Sequence, residues 1–235
     1  MSAASPVFCA IDRPDPEVAL ALCRSLLGAV GGLKVGLEFT AANGPQGVRR
    51  VVDLGLPVFL DAKLHDIPNT VAGALRAICR LGVAMVTLHA AGGAAMLRAA
   101  VEATREVGRA PLLLGVTVLT SIDEADLRAT GVPDKALDQV LRLADLSVEC
   151  GLRGLVCSPL EIAPLRQRFG SEVKLVVPGI RPPAARDDQK RIMTPVEAIA
   201  AGADFLVVGR PITAAADPRA AALAIDAEIA AAKAA

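Results

Sequence analysis

Residues 58–88 read VFLDAKLHDIPNTVAGALRAICRLGVAMVTL, and their pattern decides the fold. A short apolar run at Val58–Ala62 is followed by a helical stretch at Val71–Leu81 and by a second apolar run at Met85–Leu88. Short apolar runs flanked by Gly, Pro or polar residues are typical of buried strands. A strand–helix–strand order predicts two parallel strands joined by a crossover helix, so this stretch is one β/α unit.

The same alternation extends along the whole chain. We count eight strand-like runs: Val7–Ile11, Leu33–Leu37, Val58–Ala62, Met85–Leu88, Leu112–Val118, Gly154–Cys157, Leu175–Val177 and Phe205–Val208. The helical stretches include Glu17–Leu27, Val71–Leu81, Ala94–Val107, Ala136–Cys150, Pro195–Ala201 and Pro218–Lys233. Eight units in 235 residues favour a closed barrel over an open sheet. We therefore predict an α/β protein in which residues 1–235 form a single (β/α)8 TIM-barrel domain.

The composition excludes several classes of protein. Hydrophobic residues make up 53% and charged residues 21%, which excludes a disordered chain. Lys and Arg together number 25, as do Asp and Glu, so no overall positive field attracts nucleic acid. Aromatic residues make up 2%, too few to form a platform for stacking bases. We expect no nucleic-acid partner.

The mean hydropathy of +0.49 reflects abundant alanine, a helix former, rather than a membrane span. The most apolar stretch, Leu81–Leu97, is interrupted by His89, Gly92 and Gly93 and falls short of the roughly 20 apolar residues that a spanning helix needs. The first residues, MSAASPVFCAID, lack the features of a signal peptide. Five scattered cysteines without a CxxC pair indicate reduced thiols. We expect no membrane association and a cytoplasmic location.

Charged residues lie at the ends of two strand-like runs. Asp61 and Lys63 are two residues apart, so on a strand both side chains point the same way, at the end where barrel enzymes collect catalytic groups. Opposite charges on an apolar strand are costly unless paired, and the ordinary explanation is a structural ion pair. Asp66 adds a second carboxylate, and Lys34 on the second run would lie beside them in a barrel. Such an array gives every charge an opposite neighbour and places an ammonium that can donate a proton.

The residues after this array predict a change of structure. Pro68 is predicted to end the strand region. Thr70 is predicted to cap a helix that begins near Val71.

Glycine and arginine follow the last two runs. Gly209 and Arg210 end the eighth run, and Gly179 and Arg181 follow the seventh. Barrels frequently bind phosphate in these two loops, where glycine admits the anion to the backbone and arginine donates paired hydrogen bonds. Either glycine–arginine pair alone is common in turns, but the two pairs together indicate a phosphate site. The polar segment Arg181–Arg191 is either a solvated surface loop or a lid over that phosphate.

The other polar candidates are less specific. Asp12, at the end of the first run, either caps the next helix or accepts hydrogen bonds from sugar hydroxyls. His65 and His89 lack the spacing of metal ligands, so we predict no metal site and expect His65 to pack or hydrogen-bond locally. Gly92–Gly93 lacks the GxGxxG pattern of a dinucleotide site.

Together these segments resemble the orotidine 5′-phosphate decarboxylase family over essentially the whole chain. DAKLHDIPNTV is similar to that family's most specific signature, and AID, KVGLEF, GVTVLTS, VVPGIRP, DDQKRIMTP and VVGRPI resemble its other landmarks in the same order. The resemblance implies a homodimer that converts orotidine 5′-phosphate to uridine 5′-phosphate and CO2 in pyrimidine biosynthesis. It implies no metal or other cofactor.

The resemblance also implies roles for single residues. Lys34, Asp61, Lys63 and Asp66 match the catalytic array, with Lys63 as the proton donor and Asp66 supplied across the dimer interface. Substrate contacts are implied for Asp12 and Lys34 at the ribose, Ile67 and Thr70 beside the neighbouring subunit, Thr120 and Ser158 near the pyrimidine, and Arg181, Gln189, Gly209 and Arg210 at the phosphate. The interval between Arg181 and Gln189 is slightly shorter than in many relatives.

Two other functions stay open on the same scaffold. A magnesium-dependent sugar-phosphate decarboxylase or hexulose-phosphate synthase shares the DxKxxD core. Relatives of that kind lack IPNT and place an acidic metal ligand where this chain has Lys34, whose ammonium repels Mg²⁺. The second alternative is a phosphate-binding barrel without catalytic activity, although no charged member of the array is missing.

Overall fold

Eight parallel strands close into a barrel in the order in which they occur along the chain. The structure is a computed structural model that describes residues 5–105, 107, 110–181 and 193–234, and all counts of elements refer to these. The strands are β1 (Val7–Ile11), β2 (Gly32–Val35), β3 (Val58–Leu64), β4 (Met85–His89), β5 (Leu112–Val116), β6 (Gly154–Val156), β7 (Lys174–Val177) and β8 (Phe205–Val208). The predicted (β/α)8 barrel is confirmed.

Helices connect the strands and surround the barrel. They are α1 (Pro16–Ser25), α2 (Leu37–Val52), α3 (Pro68–Cys79), α4 (Gly93–Arg105), α5 (Glu124–Ala129), α6 (Ala136–Glu149), α7 (Ile162–Phe169), α8 (Pro195–Ala201), α9 (Arg210–Thr213) and α10 (Pro218–Ala234). Short 3-10 helices precede α4 and α7, at Ala90–Gly92 and Pro159–Glu161. None of the helices in the described part of the chain is long and apolar enough to span a membrane.

Several predicted bounds differ from the structure by one or more residues, and at two of them a helix begins earlier than expected. Leu37, predicted to lie on the second strand, is the first residue of α2. The helix expected near Val71 begins at Pro68, and Ile67 rather than Thr70 is its N-cap residue, with no side-chain cap. Proline suits the first turn of a helix because its φ is already helical and its missing N–H has no intrahelical partner there.

Helix α2 was not among the stretches that we predicted as helical. Its middle contains Gly44, with φ of 60°, followed by Pro45, so two helical segments meet at a kink. Proline cannot donate the backbone hydrogen bond and glycine accepts the left-handed backbone, so the pair interrupts the periodic pattern that identifies a helix.

The core has two layers because successive strand residues point to opposite sides. The barrel interior contains Phe8, Ala10, Phe59, Met85, Leu114, Val176 and Val207. The outer layer packs the other strand residues against the helices. Lys34 is in register with Ala10 on one side and Phe59 on the other, so the lysine belongs to the interior layer. All five cysteines are free and buried, as expected for reduced thiols.

Candidate active site

A pocket of about 180 Å³ lies at the carboxyl end of the barrel strands. It is lined by Lys34, Phe59, Asp61, Lys63, Val116, Val118, Leu119, Thr120, Val156, Cys157, Pro178 and Val207. Apolar side chains thus form most of the wall, and the charged groups come from β2 and β3. Charges that face such a wall interact more strongly than they would in water.

Asp61 and Lys63 form the shortest contact of the charged array. Lys63 Nζ lies 2.6 Å from Asp61 Oδ2, and Lys34 Nζ lies 3.8 Å from the same oxygen. Lys34 Nζ is also 3.4 Å from Asp12 Oδ1. The side chains of Lys34 and Asp61 are largely buried, whereas that of Asp12 is half exposed. The structure therefore brings four of the candidate residues together, two ammonium groups facing one carboxylate.

Lys63 is the one non-glycine residue with positive φ in the described part of the chain, at 47°. The pairing of β3 with β4 is irregular here: Leu60 pairs with Val86, but Leu64 pairs with Leu88. An advance of four residues along β3 thus matches an advance of two residues along β4. This bulge contains Asp61 and Lys63, and bulges often redirect side chains beside active sites.

Thr87 contacts both the Asp61 carboxylate and the Lys63 backbone. This residue was not identified from the sequence. Its Oγ1 donates to Asp61 Oδ1 at 2.9 Å and accepts from the Lys63 N–H at 2.9 Å. The residue is fully buried on β4. A threonine two residues after the inward-facing Met85 is a weak sequence signal, since strand alternation places both in the interior.

Asp66, Ile67 and Thr70 do not line the pocket. Asp66 lies in the turn before α3, where its Oδ1 accepts the Ile67 N–H at 2.7 Å. Ile67 is 67% exposed, and Thr70 is exposed in the first turn of the helix. Together with His65 and Pro68, Asp66 and Ile67 border a shallow depression on the rim. Within one chain, then, Asp66 is separated from the pocket that holds Lys63.

Thr120 and Ser158, the two hydroxyl candidates, follow β5 and β6. Thr120 lines the pocket. Ser158 is fully buried, and its Oγ has no hydrogen-bond partner among the residues that the structure describes, although its N–H donates to Glu161 Oε2 at 2.7 Å. Its neighbour Cys157 lines the pocket as a neutral thiol, since burial raises the pKa of that thiol.

The phosphate candidates fall on three segments. Gly209 immediately precedes α9, and Arg210 is the exposed first residue of that helix. Arg181 is 6% exposed, and its Nη1 donates to the Ile180 carbonyl at 2.9 Å. Gln189 and most of the polar segment Arg181–Arg191 lie outside the described residues, so the choice between loop and lid is not tested.

The two histidines, His65 after β3 and His89 at the end of β4, contact each other. Their ring centroids are 5.4 Å apart, with the planes tilted by 34°. Burial, together with the nearby His65 and Lys63, lowers the pKa of His89 and keeps its ring neutral at pH 7. Among the described residues, no group of three or more His, Cys, Asp or Glu side chains could hold a metal ion.

Comparison with known proteins identifies the family. Residues 5–225 match the orotidine 5′-phosphate decarboxylase / HUMPS family. The chain belongs to this family. Two relatives named orotidine 5′-phosphate decarboxylase, from Paramagnetospirillum magneticum and Opitutus terrae, are 53% and 54% identical to it. The alignments cover 96% and 93% of this chain and 98% and 96% of the relatives.

A solved structure supports the same assignment. The crystal structure of orotidine 5′-phosphate decarboxylase from Lactobacillus acidophilus superposes with a TM-score of 0.83 at 36% identity, covering 96% of this chain and 99% of that one. The family resemblance deduced from the motifs is therefore confirmed.

Proposed function

We propose that this protein decarboxylates orotidine 5′-phosphate to uridine 5′-phosphate and CO2, the last step in forming that pyrimidine nucleotide. Full-length similarity to relatives named for this activity supports the assignment. The single observation that carries the chemistry is the Asp61 carboxylate between the ammonium groups of Lys63 and Lys34, at 2.6 and 3.8 Å. No charged member of the array is missing, which argues against a barrel that only binds phosphate.

The reaction breaks the bond between C6 of the pyrimidine and its carboxylate, and leaves the electron pair on C6. The Lys63 ammonium stabilises this developing charge and then transfers its proton to C6, so that CO2 and the product leave and the lysine regains a proton from water. Asp61 faces the departing carboxylate and disfavours its charge in the bound substrate. The 2.6 Å contact of Asp61 with Lys63 holds the ammonium in place before the substrate arrives.

Other residues position the substrate. Asp12 and Lys34, 3.4 Å apart, bind the ribose hydroxyls, while Gly209, Arg210, Arg181 and Gln189 contact the phosphate. Thr120 and Ser158 lie near the pyrimidine, and the buried Ser158 Oγ, which lacks a partner within the described residues, has its hydrogen-bonding capacity available. Phosphate binding far from C6 supplies energy that lowers the barrier at the reacting atom.

We also propose a cytoplasmic homodimer in which residues 1–235 of each chain form one domain. Each active site then receives Lys34, Asp61 and Lys63 from one chain and Asp66 from its partner. The exposed position of Asp66 and Ile67 on the rim supports this arrangement, because a contact across a two-fold axis brings such residues to the neighbouring pocket. Ile67 and Thr70 belong to the same contact.

The reaction needs no metal or other cofactor in this proposal. The alternative, a magnesium-dependent sugar-phosphate decarboxylase or hexulose-phosphate synthase, requires a divalent cation near Asp61. Two ammonium groups already neutralise that carboxylate and repel a cation beside it.

The test follows the absorbance of orotidine 5′-phosphate after addition of EDTA-treated protein. The chain has no Trp or Tyr, so the protein adds little absorbance of its own. Turnover in excess chelator, unchanged by added Mg²⁺, is the expected result. No turnover until Mg²⁺ is added would favour the metal-dependent alternative. No turnover under either condition would reject the decarboxylase assignment.

A further inference from the structure

The bulge in β3 creates a structural problem at Lys63. Between Leu60 and Leu64 the ladder with β4 is interrupted, and Lys63 takes a left-handed backbone conformation that is strained for a side chain with a Cβ. A backbone N–H inside such an irregularity lacks its usual strand partner. A buried N–H without a partner costs free energy, so some other group must accept it.

Thr87 supplies that group. Its Oγ1 accepts the Lys63 N–H at 2.9 Å, in place of a strand carbonyl. Thr87 is fully buried in β4, paired in register with the interior residue Leu114, so its side chain stands inside the barrel under the bulge. A threonine is stiff at χ1, which fixes the hydroxyl oxygen relative to the strand.

The same hydroxyl also orients the carboxylate. It accepts a hydrogen bond from the Lys63 N–H and donates one to Asp61 Oδ1, both at 2.9 Å. That leaves Asp61 Oδ2 to receive the Lys63 ammonium at 2.6 Å. A hydroxyl has one proton to donate, so its direction is set by these two partners. One side chain thus closes a ring that links the backbone of Lys63, the carboxylate of Asp61 and the ammonium of Lys63.

We propose that Thr87 is a positioning residue of the decarboxylation, which holds the left-handed backbone of Lys63 and the rotamer of Asp61 so that the ammonium faces the pyrimidine C6. This inference rests on the proposed function. Thr87 does not line the pocket, so it acts through Lys63 and Asp61. Its effect is on the rate of the reacting complex rather than on the affinity for the nucleotide.

The test uses two pairs of variants that differ only in the hydroxyl group. Thr87→Val keeps the shape of threonine and is compared with the wild type. Thr87→Ala is compared with Thr87→Ser, which repeats the test with a smaller side chain in case the valine variant does not fold. Removing the hydroxyl should lower kcat about 100-fold, since a displacement of roughly 1 Å in an active site has that effect. Thr87→Ser should lose less than about tenfold. KM for orotidine 5′-phosphate and the Kd of uridine 5′-phosphate should stay close to wild type.

Thr104→Val is the matched control. Thr104 is also a buried threonine, but its hydroxyl donates to the Val101 carbonyl within α4. Unfolding by urea, measured on every variant, separates loss of folded protein from loss of rate. A Thr104→Val variant with wild-type kcat, beside slow Thr87→Val and Thr87→Ala, supports the proposal.

Three results would overturn it. One is a kcat within about twofold of wild type for the folded variant without the hydroxyl. Another is equal loss in Thr87→Ser and Thr87→Ala, which would assign the effect to the missing methyl group. The third is a wild-type protein without turnover, which would remove the proposed function and this role together. If the wild-type protein is active but kcat of the Thr87 variants is not lowered, only the role of Thr87 is rejected and the proposed function stands.

Discussion

Lys63 Nζ lies 2.6 Å from Asp61 Oδ2, two residues earlier on the same strand. A regular strand would place these side chains in parallel, but the left-handed backbone at Lys63 and the bulge around it bring the ammonium onto the carboxylate. The contact is set within one chain, whereas Asp66 stands on the rim outside the pocket. Lys63 and Asp61 thus form a fixed pair inside the pocket, and Asp66 is a separate carboxylate outside it.

Lys63→Ala should lose at least about 100-fold in kcat, because a preorganised electrostatic donor is typically worth about 2.7–4 kcal/mol in the transition state. The variant should still bind uridine 5′-phosphate, measured by calorimetry, since the product carries no charge at C6. Lys135→Ala, at an exposed lysine before α6, is the control and should behave as wild type. A Lys63→Ala variant that retains a tenth of the wild-type turnover would refute the role as proton donor.

Arg210→Ala should raise KM for orotidine 5′-phosphate by about tenfold or more, since a hydrogen bond to a charged group contributes about 1.5–3 kcal/mol. The affinity for the phosphate-free nucleoside should change little. Steady-state kinetics with both ligands makes the comparison. Arg128→Ala, at an exposed arginine of α5 that lies 3.8 Å from Glu124, serves as the control. Equal losses for the two ligands at Arg210→Ala would contradict the phosphate contact.

Mixing Lys63→Ala with Asp66→Ala tests the shared active site. After subunit exchange, half of randomly paired dimers are mixed, and each mixed dimer has one site with both defects and one intact site. Roughly a quarter of the wild-type activity per site should therefore return. Turnover measured before and after exchange gives the result.

The control for this experiment mixes Lys63→Ala with Asp61→Ala. Both residues serve the same pocket, so every site keeps one defect and no activity should return. If the first mixture also stays inactive although exchange is shown by mass spectrometry, Asp66 does not act across an interface. The decarboxylase assignment would be unaffected.

Asp204, at the opposite end of the barrel strands, predicts how stability depends on pH. Its Oδ1 lies 2.8 Å from Lys174 Nζ, and its Oδ2 accepts from the Leu175 N–H at 2.9 Å and from Arg166. Burial opposes ionisation, but these hydrogen bonds outweigh it and hold the pKa of Asp204 below its usual 3.8. A lowered folded-state pKa gives stability that is present above the unfolded value and is lost as the pH falls through the folded one.

Asp204→Asn should accordingly lower the free energy of unfolding by about 1.5–3 kcal/mol at neutral pH. The difference from wild type should shrink below about pH 4, where the wild-type carboxylate takes up a proton. Urea unfolding at several pH values measures both. Asp145→Asn, which breaks the exposed pair with Arg168, should cost less than Asp204→Asn, because solvent screens the exposed pair. An Asp204→Asn deficit that stays constant with pH would contradict the role of the charge.

Much of the fold was predictable because its signals are local. Val7–Ile11 and Phe205–Val208 were predicted with the bounds that the structure has, since compact runs of apolar residues flanked by polar ones mark buried strands. Helix α2 is not predicted from the sequence because Gly44 and Pro45 interrupt its periodic pattern. The predicted start of α3 is wrong because a proline such as Pro68 is compatible both with the end of a strand and with the first turn of a helix.

The sequence by itself determined the (β/α)8 class and the charged residue types at the strand ends, because short apolar runs and helical stretches alternate along the chain and can be recognised locally. Only the tertiary structure decided that Lys34, from the neighbouring strand, lies 3.8 Å from Asp61, that Thr87 holds the Lys63 backbone and that Asp66 stays outside the pocket. These relationships depend on register and on the bulge in β3. Both arise from pairing between distant segments, and the sequence carries no local signal for that pairing.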